Sequence, residues 1–315
     1  MHQETKTSLP GYKDIIQEIG KQLRARKKDF LKRIILISWP VPTIFAIFRL
    51  KNYLSEKNIL TLPEKYDLWF FVIIGALVIL VIFYYYILSA IFAIEKIVWI
   101  DSYFDNKNLD SKTSWKIAQK LLPSATMLVS MTFLRFYLWI PLFYGSLFYF
   151  YFYYFLQFNI SDSVGNAMGI IIIFLLFFIP IYFYYLRIKL RFLWFVFLDL
   201  YGQEGVLATE VFQEMKKLNQ IRKSDMFKKT LIINLGSDAI GIIVQQVIEN
   251  LQKGFNSLGV GSQVLGLYMR SFAEETNKQI TSFGKMTGVY LLYRYARQSL
   301  YGEAQKVNEN IYKID

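Results

Sequence analysis

The polar residues with the most chemical potential in this chain lie inside its last two apolar stretches. In "LIINLGSDAIGIIVQQVIEN" (231–250), Asn234, Asp238, Gln245 and Glu249 recur at the spacing of one helix face. In the next stretch, Arg270, Glu274, Lys278, Thr281 and Lys285 do the same. Antiparallel packing of two such helices brings carboxylates level with cations, and the predicted pair is Asp238 with Lys278. A charge at the centre of a bilayer costs about 2.5–3.5 kcal/mol even on a lenient insertion scale, so these groups are expected to pair or to face water rather than lipid. Three chemistries fit the stripes, unless the sixth stretch lies partly outside the bilayer as an amphipathic helix: a structural seam between helices or protomers, a hydrated path for an ion or small polar solute, or acid–base work by Asp238 and Glu274. No nucleophile is placed beside those carboxylates, so the third ranks last.

Other catalytic chemistry has little material. Cysteine is absent and the one histidine is His2, which excludes disulfides, thiol nucleophiles and His- or Cys-based metal sites. There is no phosphate-binding GxxxxGK[ST], no HExxH and no GxSxG, while "GVGSQVLG" (259–266) has the wrong spacing for a dinucleotide loop and is expected outside the helices. The sequon "NIS" (159–161) falls in an expected outer loop. No cofactor or metal is implied, and the chain reads as a non-enzyme.

The elements that must carry the stripes follow from composition. Hydrophobic residues make up 54% of the 315 residues and aromatics 18%, with a mean hydropathy of +0.30. Runs such as "LWFFVIIGALVILVIFYYYILSAIFAI" (68–94) exceed the roughly 20 apolar residues that span a bilayer. Six spans are predicted, near 34–50, 68–94, 124–156, 166–198, 230–250 and 263–293, giving an all-α polytopic membrane protein that forms one domain. No cleaved leader is expected, because the first apolar run begins at Ile34 behind the basic stretch Lys21–Arg33.

Basic residues test that topology. Of 36 Lys and Arg, most fall on one side, in the N-terminus, the loops 95–120 and 187–229, and the C-terminus. The opposite side carries only Arg49, Lys51, Lys57, Lys65 and Lys253, and its "QFNISDSVG" loop has none. Basic loops stay cytoplasmic, so both termini are expected in the cytoplasm and the location is the plasma membrane. The net charge of +12 then gathers on the cytoplasmic face, where anionic lipid head groups are the expected partner. No nucleic-acid recognition motif accompanies it. Arg135 stands alone in "MTFLRFYLWIP" and is expected to snorkel to head groups. Pro42, Pro141 and Pro180 are expected to kink spans one, three and four, and "YGSLFYFYFYYFLQF" (144–158) reads as an outer aromatic belt.

A repeat organises the spans. Amphipathic stretches at 12–33, 109–122 and 206–228 each lead into a span, beginning near residues 14, 110 and 206. Asp110 or Ser111 and Thr209 are the expected caps of the second and third. Spans two and four end in matching signatures, Asp101 and Tyr103 in "VWIDSYF", Asp199 and Tyr201 in "VFLDLYG". There the Asp is expected to cap a turn or pair with a Lys, and the Tyr to sit at the interface. The architecture is therefore three units of amphipathic helix plus helical hairpin.

This layout, closed by "YLLYRYARQSLYGEA" (290–304), resembles the six-helix membrane domain of some bacterial glycerophosphodiester phosphodiesterases and related membrane proteins. Leu292, Tyr293 and Arg297 match the family's closing pattern; Tyr295 stands where it carries Asp, and Gly302-Glu303 has its acidic-Gly pair reversed. The resemblance implies a fold and a location. In the phosphodiesterases catalysis belongs to a separate soluble barrel, and no segment here is long or polar enough to form one. The functional expectation is a non-enzymatic membrane module that organises lipid or protein partners, a second copy among them. The alternative is a small-solute or lipid transporter using the seam between spans five and six.

Overall fold

The computed structural model describes residues 9–56, 64–105, 107, 109–157, 170, 178–201, 208–256 and 260–301. All regular structure among them is helical: α1 (Tyr12–Ser38), α2 (Pro40–Glu56), α3 (Glu64–Phe104), α4 (Ser111–Thr132), a π-helical turn (Phe133–Tyr137), α5 (Trp139–Gln157), α6 (178–189), α7 (Leu193–Leu200), α8 (Ala208–Gln220), α9 (Lys223–Asn256) and α10 (Val260–Tyr301). Four segments are long and apolar enough to cross a membrane: Tyr12–Tyr53, Val72–Phe104, Ser111–Tyr137 and Lys223–Gly254. They overlap the first, second, third and fifth expected spans. A third of the fourth expected span and nearly all of the "QFNISDSVG" loop lie outside the described residues.

Local chemistry explains the boundaries. Asp14 accepts a hydrogen bond from the Gly11 N–H at 3.1 Å, which satisfies a free donor at the start of α1. Pro40 has no N–H to continue the ladder, so α1 stops at Ser38 and α2 begins at Pro40. The break in span one therefore sits one turn earlier than the expected Pro42 kink. Pro141 cannot donate to the Tyr137 carbonyl, and the backbone ahead of it takes a π turn closed by Leu138 N–H to Phe133 O at 3.0 Å. Asp110 caps α4, accepting from the Thr113 N–H at 3.1 Å. Hydrogen bonds from the Thr113 hydroxyl and then from its N–H hold the exposed Asp110 carboxyl below the usual range.

At four places the helix boundaries differ from those expected. The amphipathic stretch 109–122 and the start of span three form one helix, because Pro123 is accommodated within α4. The stretch 206–228 is divided, since Arg222 adopts a left-handed φ of 38° between α8 and α9. The segment 166–198 is interrupted by a turn at 190–192 between α6 and α7. "GVGSQVLG" also departs from its expected loop, as its residues from Val260 onward open α10.

The chain divides into two compact units, Met1–Lys120 with Lys228–Val307, and Leu121–Phe227. In the first, α10 packs against α1, α2 and α3. Its aromatic core joins Phe30 to Phe92 and to Phe283, each with ring centroids 5.3 Å apart, and Trp99 lies 5.8 Å from Phe92. The apolar surface of α3 changes along its length. Val72, Ile73, Leu80, Phe83 and Ile87 are exposed, whereas the stretch 94–102 is buried throughout. This helix thus runs from a surface suited to lipid into a packed bundle. In the second unit α7 and α8 share a core that includes Phe195, Val196, Met215 and Leu218. There Arg135 lies over the Phe212 ring at 5.0 Å, and Tyr182 accepts from Trp139 Nε1 at 3.0 Å. Phe148, Tyr149, Phe150, Phe152 and Tyr153 of the aromatic stretch are exposed along α5.

Candidate functional site: the polar faces of α10

Two polar faces of α10 meet different neighbours, as residues offset by one position on a helix must. Toward α9, Lys285 donates to Asp238. Asn277 Nδ2 donates to the Gly241 carbonyl at 2.8 Å. Further along, Glu274 accepts from Gln245 Nε2 at 2.9 Å and from Arg270 Nε at 2.5 Å, while Arg270 also donates to Gln252. Gln245 additionally reaches the exposed Glu249 at 3.3 Å. Asn234 is buried on α9, one turn before Asp238.

The expected Asp238–Lys278 pair is not formed. Lys278 turns to α3, donating to the Tyr85 hydroxyl at 2.5 Å and lying 3.7 Å from Glu275. The antiparallel register sets Lys285 against Asp238 instead, on the same face as Lys278 but two turns further along. Two turns preserve the face, so helical spacing alone could not choose between them.

The α3-facing side was missed by sequence reasoning. Lys96, only 2% exposed, donates to Gln279 Oε1 at 2.6 Å and to Ser282 Oγ at 3.0 Å. Gln279 donates to the buried Glu275, whose other oxygen accepts from Tyr85 at 3.1 Å. The available signal was the "EK" pair at 95–96 ending an uncharged run, with Glu275 beside Glu274. A second cluster lies nearby in the chain. Arg33 forks onto the fully buried Glu95 at 2.9 and 3.0 Å, and Glu95 also accepts from Ser114 Oγ at 2.8 Å. Arg33 stacks 3.9 Å above the Trp115 ring, which ties α1, α3 and the start of α4 together.

The two Asp-x-Tyr signatures occupy different settings. Asp101 is buried within α3 and accepts from the Tyr290 hydroxyl of α10 at 2.7 Å, rather than serving as a cap. Tyr103 packs edge-on against Phe104 at 5.5 Å. Asp199 lies half-buried on α7, and Tyr201 ends that helix with its ring 5.6 Å from Phe197.

Chemically, these faces cross-link helices. The ionisable side chains Asp238, Arg270, Glu274, Glu275, Lys278 and Lys285 each have a polar partner on α10, α9 or α3. Among the described residues no group of three or more His, Cys, Asp or Glu is disposed to hold a metal ion. No family model, curated protein or solved structure matches this chain.

Proposed function

We propose that this chain is a six-span integral membrane protein of the plasma membrane with both termini cytoplasmic, built from three helix-plus-hairpin units. In this reading it is a non-enzymatic module that organises lipid or protein partners. The carrying observation is that the charges of α10 are spent on one another and on α3 and α9, as a structural seam requires and a substrate-binding site does not. The side asymmetry of Lys and Arg supports the orientation. The closing Leu292, Tyr293 and Arg297 support kinship with the six-helix membrane domain of bacterial glycerophosphodiester phosphodiesterases.

The absence of native cysteine makes the test direct. Single cysteines at Asp238, Gln245, Glu274 and Lys278, with controls at His2 and in the "QFNISDSVG" loop, are exposed to a membrane-impermeant thiol reagent from each side in turn. The expected result is protection of all four seam positions, cytoplasmic labelling of the terminus and outer labelling of the loop. Labelling of the seam in folded protein would replace this reading with a transporter whose hydrated path runs between α9 and α10.

A further inference from the structure

Between α1, α9 and α10 runs a groove of about 410 Å³, within the size range of about 300–1,000 Å³ typical of small-molecule sites. Its walls are Ile15, Ile16 and Ile19 on one side and Ile232 and Ile240 on the other, with Gly236 leaving open space between them. Polar lining is confined to a few groups such as Ser237 and Thr281. Water is disfavoured in so apolar a cleft. On the face of α9 that carries Ile232, Gly236 and Ile240, Ile243 and Val247 are exposed further along a helix long and apolar enough to cross a membrane.

One end of the groove is basic. Tyr12 closes it there; Lys229 donates to the Pro10 carbonyl and sits 5.4 Å above the Tyr12 ring. Lys13 follows Tyr12 and Lys228 precedes Lys229, both exposed. Two carboxylates lie close in sequence: Asp14, which accepts from the Gly11 N–H, and the exposed Asp225, one turn before Lys228 and Lys229. An apolar channel ending in exposed ammonium groups complements an amphiphile with a hydrocarbon tail and an anionic head.

From this we infer that the α1–α9–α10 groove holds one acyl chain of an anionic phospholipid, its head group at Lys13 and Lys228. The inference rests on the chain being a membrane module and specifies the lipid class that it retains. The seam between α9 and α10 is probed separately, so a dry seam with an empty groove would leave the module reading standing and remove only this lipid.

The full chain, reconstituted in phosphatidylcholine vesicles, is irradiated with a minor fraction of phosphatidylglycerol or phosphatidylcholine bearing a photoreactive diazirine on one acyl chain. Cross-linked residues are then mapped by mass spectrometry. Phosphatidylglycerol is expected to label Ile16, Ile19, Ile232 and Ile240 in preference to phosphatidylcholine. That preference should fall roughly fivefold for each of Lys13→Gln and Lys228→Gln. Gly236→Phe fills the groove and should abolish labelling there while sparing the outer face of α9; Ile16→Trp does the same from α1 and serves if the first variant misfolds. Equal labelling by the two lipids, or labelling unchanged in the filled variants, would overturn the inference. So would disulfide-linked dimers of a Ser237→Cys chain in place of lipid labelling, which would assign the groove to a second copy.

Discussion

At the scale of single residues, the register between α9 and α10 is written in the Lys285–Asp238 contact. Asp238→Lys or Lys285→Asp alone should cost about 1–3 kcal/mol, below the loss for a fully buried pair because the Asp238 carboxylate keeps 38% of its exposure. The double exchange should recover most of that loss, measured as the thermal midpoint in detergent. The same exchange between Asp238 and Lys278 should recover nothing, since Lys278 belongs to Tyr85 and Glu275. A second test concerns Asp105, just beyond α3, whose carboxyl is pushed up by burial and then by the charge of Asp101. Because the folded state binds this proton more readily than the unfolded chain, ionisation at neutral pH opposes folding. The opposition fades as pH falls through the raised value toward the ordinary carboxylate range. Asp105→Asn should therefore raise the midpoint at neutral pH, and the advantage should vanish in acid, where both states of the native chain are protonated.

At the scale of elements, the three-way approach of α1, α9 and α10 depends on a missing side chain. A Cβ on Gly288 would lie 3.2 Å from two carbons of Ile233 and 3.3 Å from Ile15. Gly288→Val should cost about 1–3 kcal/mol by forcing these helices apart. A Cβ on Gly236 meets nothing within 4 Å, so Gly236→Ala should leave the thermal midpoint intact. The contrast between the two glycines, read in one unfolding series, checks the packing of α9 without touching its charges. Breaks in the helices have equally local causes. Pro40 divides α1 from α2, Pro141 follows the π turn, and Arg222 parts α8 from α9. Pro123 breaks nothing, which shows why proline alone does not locate a boundary.

Across the whole molecule, what the sequence determines by itself is what depends on composition and local spacing. Helical structure throughout the described residues was legible, and four of the six expected spans overlap helices long and apolar enough for a membrane, because apolar runs and helical periodicity are local properties. The Asp110 cap was legible as one of two adjacent candidates. Partnership was not. Helical spacing places Lys278 and Lys285 on one face, and only the sliding of α10 against α9 selects Lys285 for Asp238. Likewise Asp101 finds Tyr290, Lys96 finds Gln279, and Glu95 finds Arg33 across separations that no local pattern encodes. Burial decided these pairs: a charge or hydroxyl removed from water must meet whatever polar group packing brings within reach. Periodicity assigns a residue to a face; the packed helices alone decide what that face touches.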